Sequence, residues 1–150
     1  MKKTILLLAL IVGTANAQTY GPELVTNGTF DTEDAWTLGY SWQILPAPGA
    51  LAFHNEGYTA ALYQPIDLAP GNTYRITYTV SGSAGSTNPY TRARIIGTVT
   101  ANCPYQYGDG TFTCTTTAPA GATAVAIWPS SGFGGVLDDV SVREVLSGNP

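Results

Sequence analysis

Apolar and polar residues alternate along most of this chain with a period of two, the pattern of half-buried β-strands. Tyr74, Ile76, Tyr78 and Val80 alternate with Thr73, Arg75, Thr77 and Thr79, which predicts a strand with a threonine outer face. Ala93 and Ile95 oppose Arg92, Arg94 and Ile96, and Val125 and Ile127 oppose Ala124, Ala126 and Trp128. Leu62, Gln64, Ile66 and Leu68 share one parity, interrupted at Pro65, a sign of an edge or a bulge. Phe112 and Cys114 share a parity in the segment that runs to Thr117. Val136, Asp138, Val140 and Val142 are expected on one face of the closing strand. Gly, Pro and Asn clusters punctuate these runs, such as Ala69-Pro70-Gly71-Asn72 and Gly108-Asp109-Gly110. Roughly eight to ten short strands at this spacing predict an all-β sandwich or barrel in a single domain. The tail from Leu146 to Pro150 reads as a frayed end.

The N-terminus departs from this pattern. Lys2 and Lys3 precede an apolar run from Ile5 to Val12, too short to span a bilayer. Ala15-Asn16-Ala17 then supplies a small-x-small cleavage site, so residues 1–17 read as a secretory signal peptide, with a short buried helix as the alternative. Cleavage before Gln18 leaves Gln18 to Pro150, enough for one domain with one core, and an extracellular or periplasmic location. No Cys follows the apolar run, so no lipid anchor is expected, and no later stretch predicts membrane insertion. Both lysines leave with the signal. Arg75, Arg92, Arg94 and Arg143 then face ten carboxylates, a net charge near −6 that argues against nucleic acid as a partner. Charged residues make up only 11% of the chain, as suits a β protein with a neutral polar surface.

In an oxidising compartment the two cysteines, Cys103 and Cys114, are expected to pair. Pro104 to Gly110 between them holds hairpin turn chemistry. A thiol–metal site is the rival reading, and the single histidine, His54, leaves it short of ligands.

Three segments, in order, resemble a known family. Leu24-Val25-Thr26-Asn27-Gly28-Thr29-Phe30-Asp31, followed by Trp36 and Trp42, is similar to the opening of galactose-binding-like jelly-roll domains. Leu68 to Tyr78 resembles the start of their central strand, and Leu137-Asp138-Asp139-Val140-Ser141-Val142 their closing strand. These are the carbohydrate-binding modules of glycanases, with relatives in phage tail and fibre proteins and bacterial surface proteins. The resemblance covers nearly all of the chain after residue 17. It implies a jelly-roll β-sandwich and a glycan or polysaccharide as ligand. It also implies a structural Ca²⁺ near the two chain ends, held by Asp31 with Asp138 or Asp139 and main-chain carbonyls. Asp31 stands where Glu is common, and its shorter arm reaches less far.

Individual residues admit two readings each. Asn27-Gly28 would turn Phe30 inward; Trp36 and Trp42 would then plug the core or, alternatively, touch ligand. Asp138, on the parity of three valines, needs a cation or loop amides to satisfy it. Trp128 projects away from Val125 and Ile127 between two alanines, as a flat platform for a pyranose ring or as cover for a sheet edge or another subunit. Arg92 and Arg94 face outward nearby, and Tyr90, Tyr105 and Tyr107 decorate adjoining turns. Catalysis has little to stand on. A serine triad would need His54, and two-carboxylate glycoside hydrolysis would need Glu33 and Glu56. The expectation is a secreted, non-catalytic glycan-binding domain. A structural or adhesive subunit of a surface or virion assembly, in homo-oligomeric or larger form, is the alternative.

Overall fold

The computed structural model describes residues 18–32, 34–40, 42–44 and 60–146. The signal segment, Glu33, His54, Glu56 and residues 147–150 lie outside the described residues. Ten strands follow in chain order: β1 (Thr19–Glu23), β2 (Thr37–Leu38), β3 (Leu62–Pro65), β4 (Thr73–Ser81), β5 (Tyr90–Ile96), β6 (Ala101–Asn102), β7 (Gln106–Tyr107), β8 (Gly110–Thr117), β9 (Ala124–Pro129) and β10 (Val136–Leu146). Among the described residues no helix is long and apolar enough to cross a membrane.

The strands form two antiparallel sheets. One has the order β1-β10-β4-β8; the other runs β2-β3-β9-β5-β6, with β7 also pairing β5. From β4 onward the longer strands alternate between the sheets, which makes the jelly-roll sandwich that the alternating pattern and the resemblance predict. Tyr74, Ile76, Tyr78 and Val80 of β4, with Leu137 and Val142 of β10, point into the core. They meet Leu62 of β3, Ala93 and Ile95 of β5, and Val125 and Ile127 of β9, all buried. Two polar groups are satisfied inside this layer. The Tyr78 hydroxyl lies 3.0 Å from that of buried Thr91 on the opposite sheet. Gln64 accepts from the Thr26 amide and donates to the Thr26 carbonyl, both at 2.8 Å, which docks the loop after β1 onto β3. Pro65 is the last residue of β3, where its missing N–H interrupts little of the ladder.

That loop carries the opening motif. Asn27 takes φ 54°, and the chain folds back so that Phe30 donates its amide to the Asn27 carbonyl and buries its ring. Trp36 stacks at 4.9 Å from Phe30 and donates its indole N–H to the same carbonyl at 2.8 Å. Trp42 packs 6.5 Å from Phe133 and donates to the Ala60 carbonyl. Both tryptophans are core residues, 6% and 7% exposed.

The threonine face of β4 continues on β8, with Thr77 paired to Thr113 at 3.1 Å and Thr79 to Thr111 at 3.0 Å. Two expectations need correction. On β10 the register shifts between Asp138 and Ser141, with Asp139 at φ 51°. This bulge changes parity partway along, so Leu137, Val140 and Val142 are buried while Val136 and Asp138 sit half-exposed. Asp138 therefore does not share an inward face with the valines. The second concerns the cysteines. They do form a disulfide, with Cα atoms 6.0 Å apart, but it does not close a hairpin. Cys103 follows β6, at the edge of one sheet, and Cys114 lies on β8, at the edge of the other. The bond joins the sheets, and β7 within the loop pairs with β5.

Candidate functional site

Because Ala93, Ile95, Val125 and Ile127 face the core, parity places Arg92, Arg94, Ala126 and Trp128 together on the outer face of the larger sheet. Register sharpens this. Arg92 lies opposite Trp128, and Arg94 lies opposite Ala126 on one side and Asn102 on the other. Pairing of β5 with β7 sets Tyr90 opposite Tyr107, and Tyr105 leads into that pair. All six side chains singled out by sequence as ligand-binding candidates thus occupy one face.

Their contacts form two groups of packed rings and cations. Arg94 lies 4.1 Å over the Trp128 ring, and Arg92 lies 4.5 Å over Tyr105. Tyr90 meets Tyr105 edge-on at 4.7 Å and Tyr107 at 5.8 Å. Tyr105 and Tyr107 remain 47% and 63% exposed, so their faces can take a flat ring. Trp128 is less open than expected: it is half-buried, and the Arg94 guanidinium covers one side of the indole.

Beside Trp128 lies an open, largely apolar depression of about 420 Å³ with Ala124 and Ala126 among its lining and Tyr63 and Trp128 as its aromatic members. Tyr63, opposite Ala126 and 39% exposed, was missed by sequence reasoning, although inward Leu62 and Gln64 already put it outward. A pyranose ring has apolar faces that pack on aromatic surfaces, and its hydroxyls take donors and acceptors at the rim. The face offers both kinds of group.

Neither arginine forms an ion pair with a carboxylate among the described residues, where the one pair is Arg143 with Glu23 at 3.1 Å. The Nε atoms of Arg92 and Arg94 are both buried without a hydrogen-bond partner. Burial, then the charge of Arg92, pushes the Arg94 guanidinium below its ordinary pKa, against a smaller opposing pull from Tyr105 and Tyr90.

The second candidate set, Asp31 with Asp138 and Asp139, lies where the loop after β1 meets β10. Asp31 accepts from the Thr29 hydroxyl at 2.7 Å, and Asp138 accepts from the Asp139 amide at 2.7 Å. Burial raises the Asp138 carboxyl, helped by the charges of Asp139 and Asp31. Among the described residues no group of three or more His, Cys, Asp or Glu is placed to hold a metal.

No protein-family model matches the chain, and no curated protein matches it. Solved structures do. Family 16 carbohydrate-binding module-2 superposes with a TM-score of 0.59 at 15% identity, covering 79% of this chain and 98% of that one. The CBM22-1 xylan-binding domain of Paenibacillus barcinonensis Xyn10C gives 0.56 at 13% identity, covering 89% and 99%. The enzymatically active domain of bacteriophage CBA120 tailspike protein 4 gives 0.53 at 18% identity; 82% of this chain matches only 21% of that one. At these identities the likeness establishes the jelly-roll fold.

Proposed function

We propose that this chain is a secreted, non-catalytic glycan-binding domain that holds a polysaccharide on the outer face of the β3-β9-β5 sheet. One observation carries the reading. Six side chains of the types that grip sugars, drawn from strands and loops distant in sequence, converge on a single face beside an alanine-lined depression. The fold's likeness to carbohydrate-binding modules supports it. Secretion is supported by the resemblance of the sequence at residues 1–17 to a signal peptide and by the cystine, which suits an oxidising compartment. The test is a glycan array followed by titration of the best ligand. Tyr107→Ala should weaken binding at least tenfold while leaving the melting temperature unchanged, because the ring is exposed. An array with no bound sugar would end the reading.

The tailspike likeness favours a second reading, a structural or adhesive subunit of a phage or cell-surface assembly. An ordered oligomer in solution with no sugar affinity is its signature.

A calcium ion at Asp31 with Asp138 or Asp139 is a separate proposal, supported by the action of the Asp139 and Asp31 charges on the part-buried Asp138 carboxyl. With no three-carboxylate group in place, such an ion would draw most of its roughly six to eight oxygens from main-chain carbonyls and water. Chelation should then lower the melting temperature and added Ca²⁺ restore it, with no response in Asp138→Ala. A melting curve indifferent to chelator removes the ion.

A further inference from the structure

We infer that Arg92 and Arg94 form a subsite for the carboxylate or sulfate groups of an acidic polysaccharide, an inference that rests on the glycan-binding reading above. Two of the chain's four arginines stand two residues apart on one strand, pointing to the same side. Their Cα atoms are therefore about 7 Å apart, close enough for mutual repulsion. No carboxylate among the described residues pairs with either, and neither Nε has an acceptor. A buried donor left unmet is destabilising, and two like charges add to it. The aromatic rings account for the faces of the guanidiniums, at 4.1 Å and 4.5 Å. They leave both Nε donors without partners, and the terminal N–H groups of a guanidinium suit a planar carboxylate or a sulfate.

A neutral polysaccharide would meet these donors with hydroxyls alone. An anionic one meets both the donors and the charge. The adjoining tyrosines place ring-stacking groups within one sugar unit's reach of the cations, which favours a charged sugar over a charged chain of another kind. The protein as a whole is acidic, with a sequence pI near 4.6, so a polyanion is held only where cations are local.

The experiment is affinity electrophoresis and calorimetry on the full chain. Polygalacturonate serves as the uronate, dextran sulfate as the sulfate ester, xylan free of glucuronate branches as the neutral reference and oligo(dT) as a non-sugar polyanion. At low salt, one or both acidic polysaccharides should bind at least tenfold more tightly than xylan, and rising salt should weaken that binding. Whichever of the two binds more tightly identifies the acidic group. Arg92→Gln with Arg94→Gln should remove the acidic preference and its salt dependence. Should the double variant not fold, the salt series on the unaltered chain still decides. Binding of xylan equal to or tighter than the acidic polymers, with no salt dependence, overturns the inference and leaves the glycan-binding reading standing. Binding of none of the sugars overturns both. Oligo(dT) bound as tightly as the acidic sugars overturns the ligand class.

Discussion

Trp36 and Trp128 carry the same side chain into opposite surroundings. Trp36 is 6% exposed, stacked on Phe30 and hydrogen-bonded to the Asn27 carbonyl, so Trp36→Ala empties a packed site. The expected loss is about 3–5 kcal/mol, read by denaturant unfolding. Trp128→Ala removes a half-buried ring and its contact with Arg94, a loss of about 2 kcal/mol at most, together with part of the face proposed to stack on sugar. If the two losses come out reversed, the inner and outer faces of the sandwich have been exchanged. Glu23 makes a different kind of statement. Burial acts to raise its pKa, but hydrogen bonds from the Ser141 hydroxyl, the Val142 and Val25 amides and Arg143 outweigh burial and leave it lowered. A carboxyl depressed in the folded state stabilises the fold above the ordinary glutamate pKa, and that contribution disappears as pH falls through the depressed value. Melting temperatures measured from neutral pH down to acid should show this fall in the parent and a flatter profile in Glu23→Gln. Equal slopes would mean that the carboxylate does not tie β1 to β10.

At the scale of elements, the strands that alternate strictly were legible before any coordinates. β4 and β5 bury the residues their parity predicts, each being flanked by a strand on both sides, and β9 buries Val125 and Ile127 as expected but also the small Ala124 and Ala126 of the opposite parity. β10 was misread for a physical reason. Val136 and Leu137 are both apolar, so nothing in the pattern chooses between the two parities, and the bulge that switches them is set by contact with a distant segment. That segment is the loop at Gly28, whose carbonyl accepts the Val140 amide at 2.9 Å. A Cβ on Gly28 would lie 2.0 Å from the Val140 carbonyl oxygen, a backbone atom with nowhere to go. Gly28→Ala should therefore cost about 1–3 kcal/mol by forcing the opening loop off the closing strand, and a thermal melt will show it. An unchanged melting temperature would deny that close approach. β7 was misread too: its tyrosine looked like hairpin decoration, whereas its partner is β5, a pairing no local signal specifies.

For the whole molecule, the site was half legible. Parity alone points Arg92, Arg94 and Trp128 outward from their own strands, and the pairing of β5 with β9 sets them on one face. That the tyrosines join them follows from the strand order, which no alternation encodes. The disulfide was legible as a pair and not as a place. Reducing it should lower stability by roughly 2–4 kcal/mol, seen as a shift in midpoint with and without reductant. A midpoint unmoved by reductant would mean that the sheets hold their edges without it. Its position has a further consequence. Tyr105 and Tyr107 both lie within the segment that the bond encloses, between Cys103 and Cys114. Sheet pairing places Tyr107 through β7, a strand of two residues, while Tyr105 is held by Arg92, by Tyr90 and by the tether two residues away at Cys103. A chain with the bond open would keep its sandwich core and hold the tyrosine half of this face more loosely.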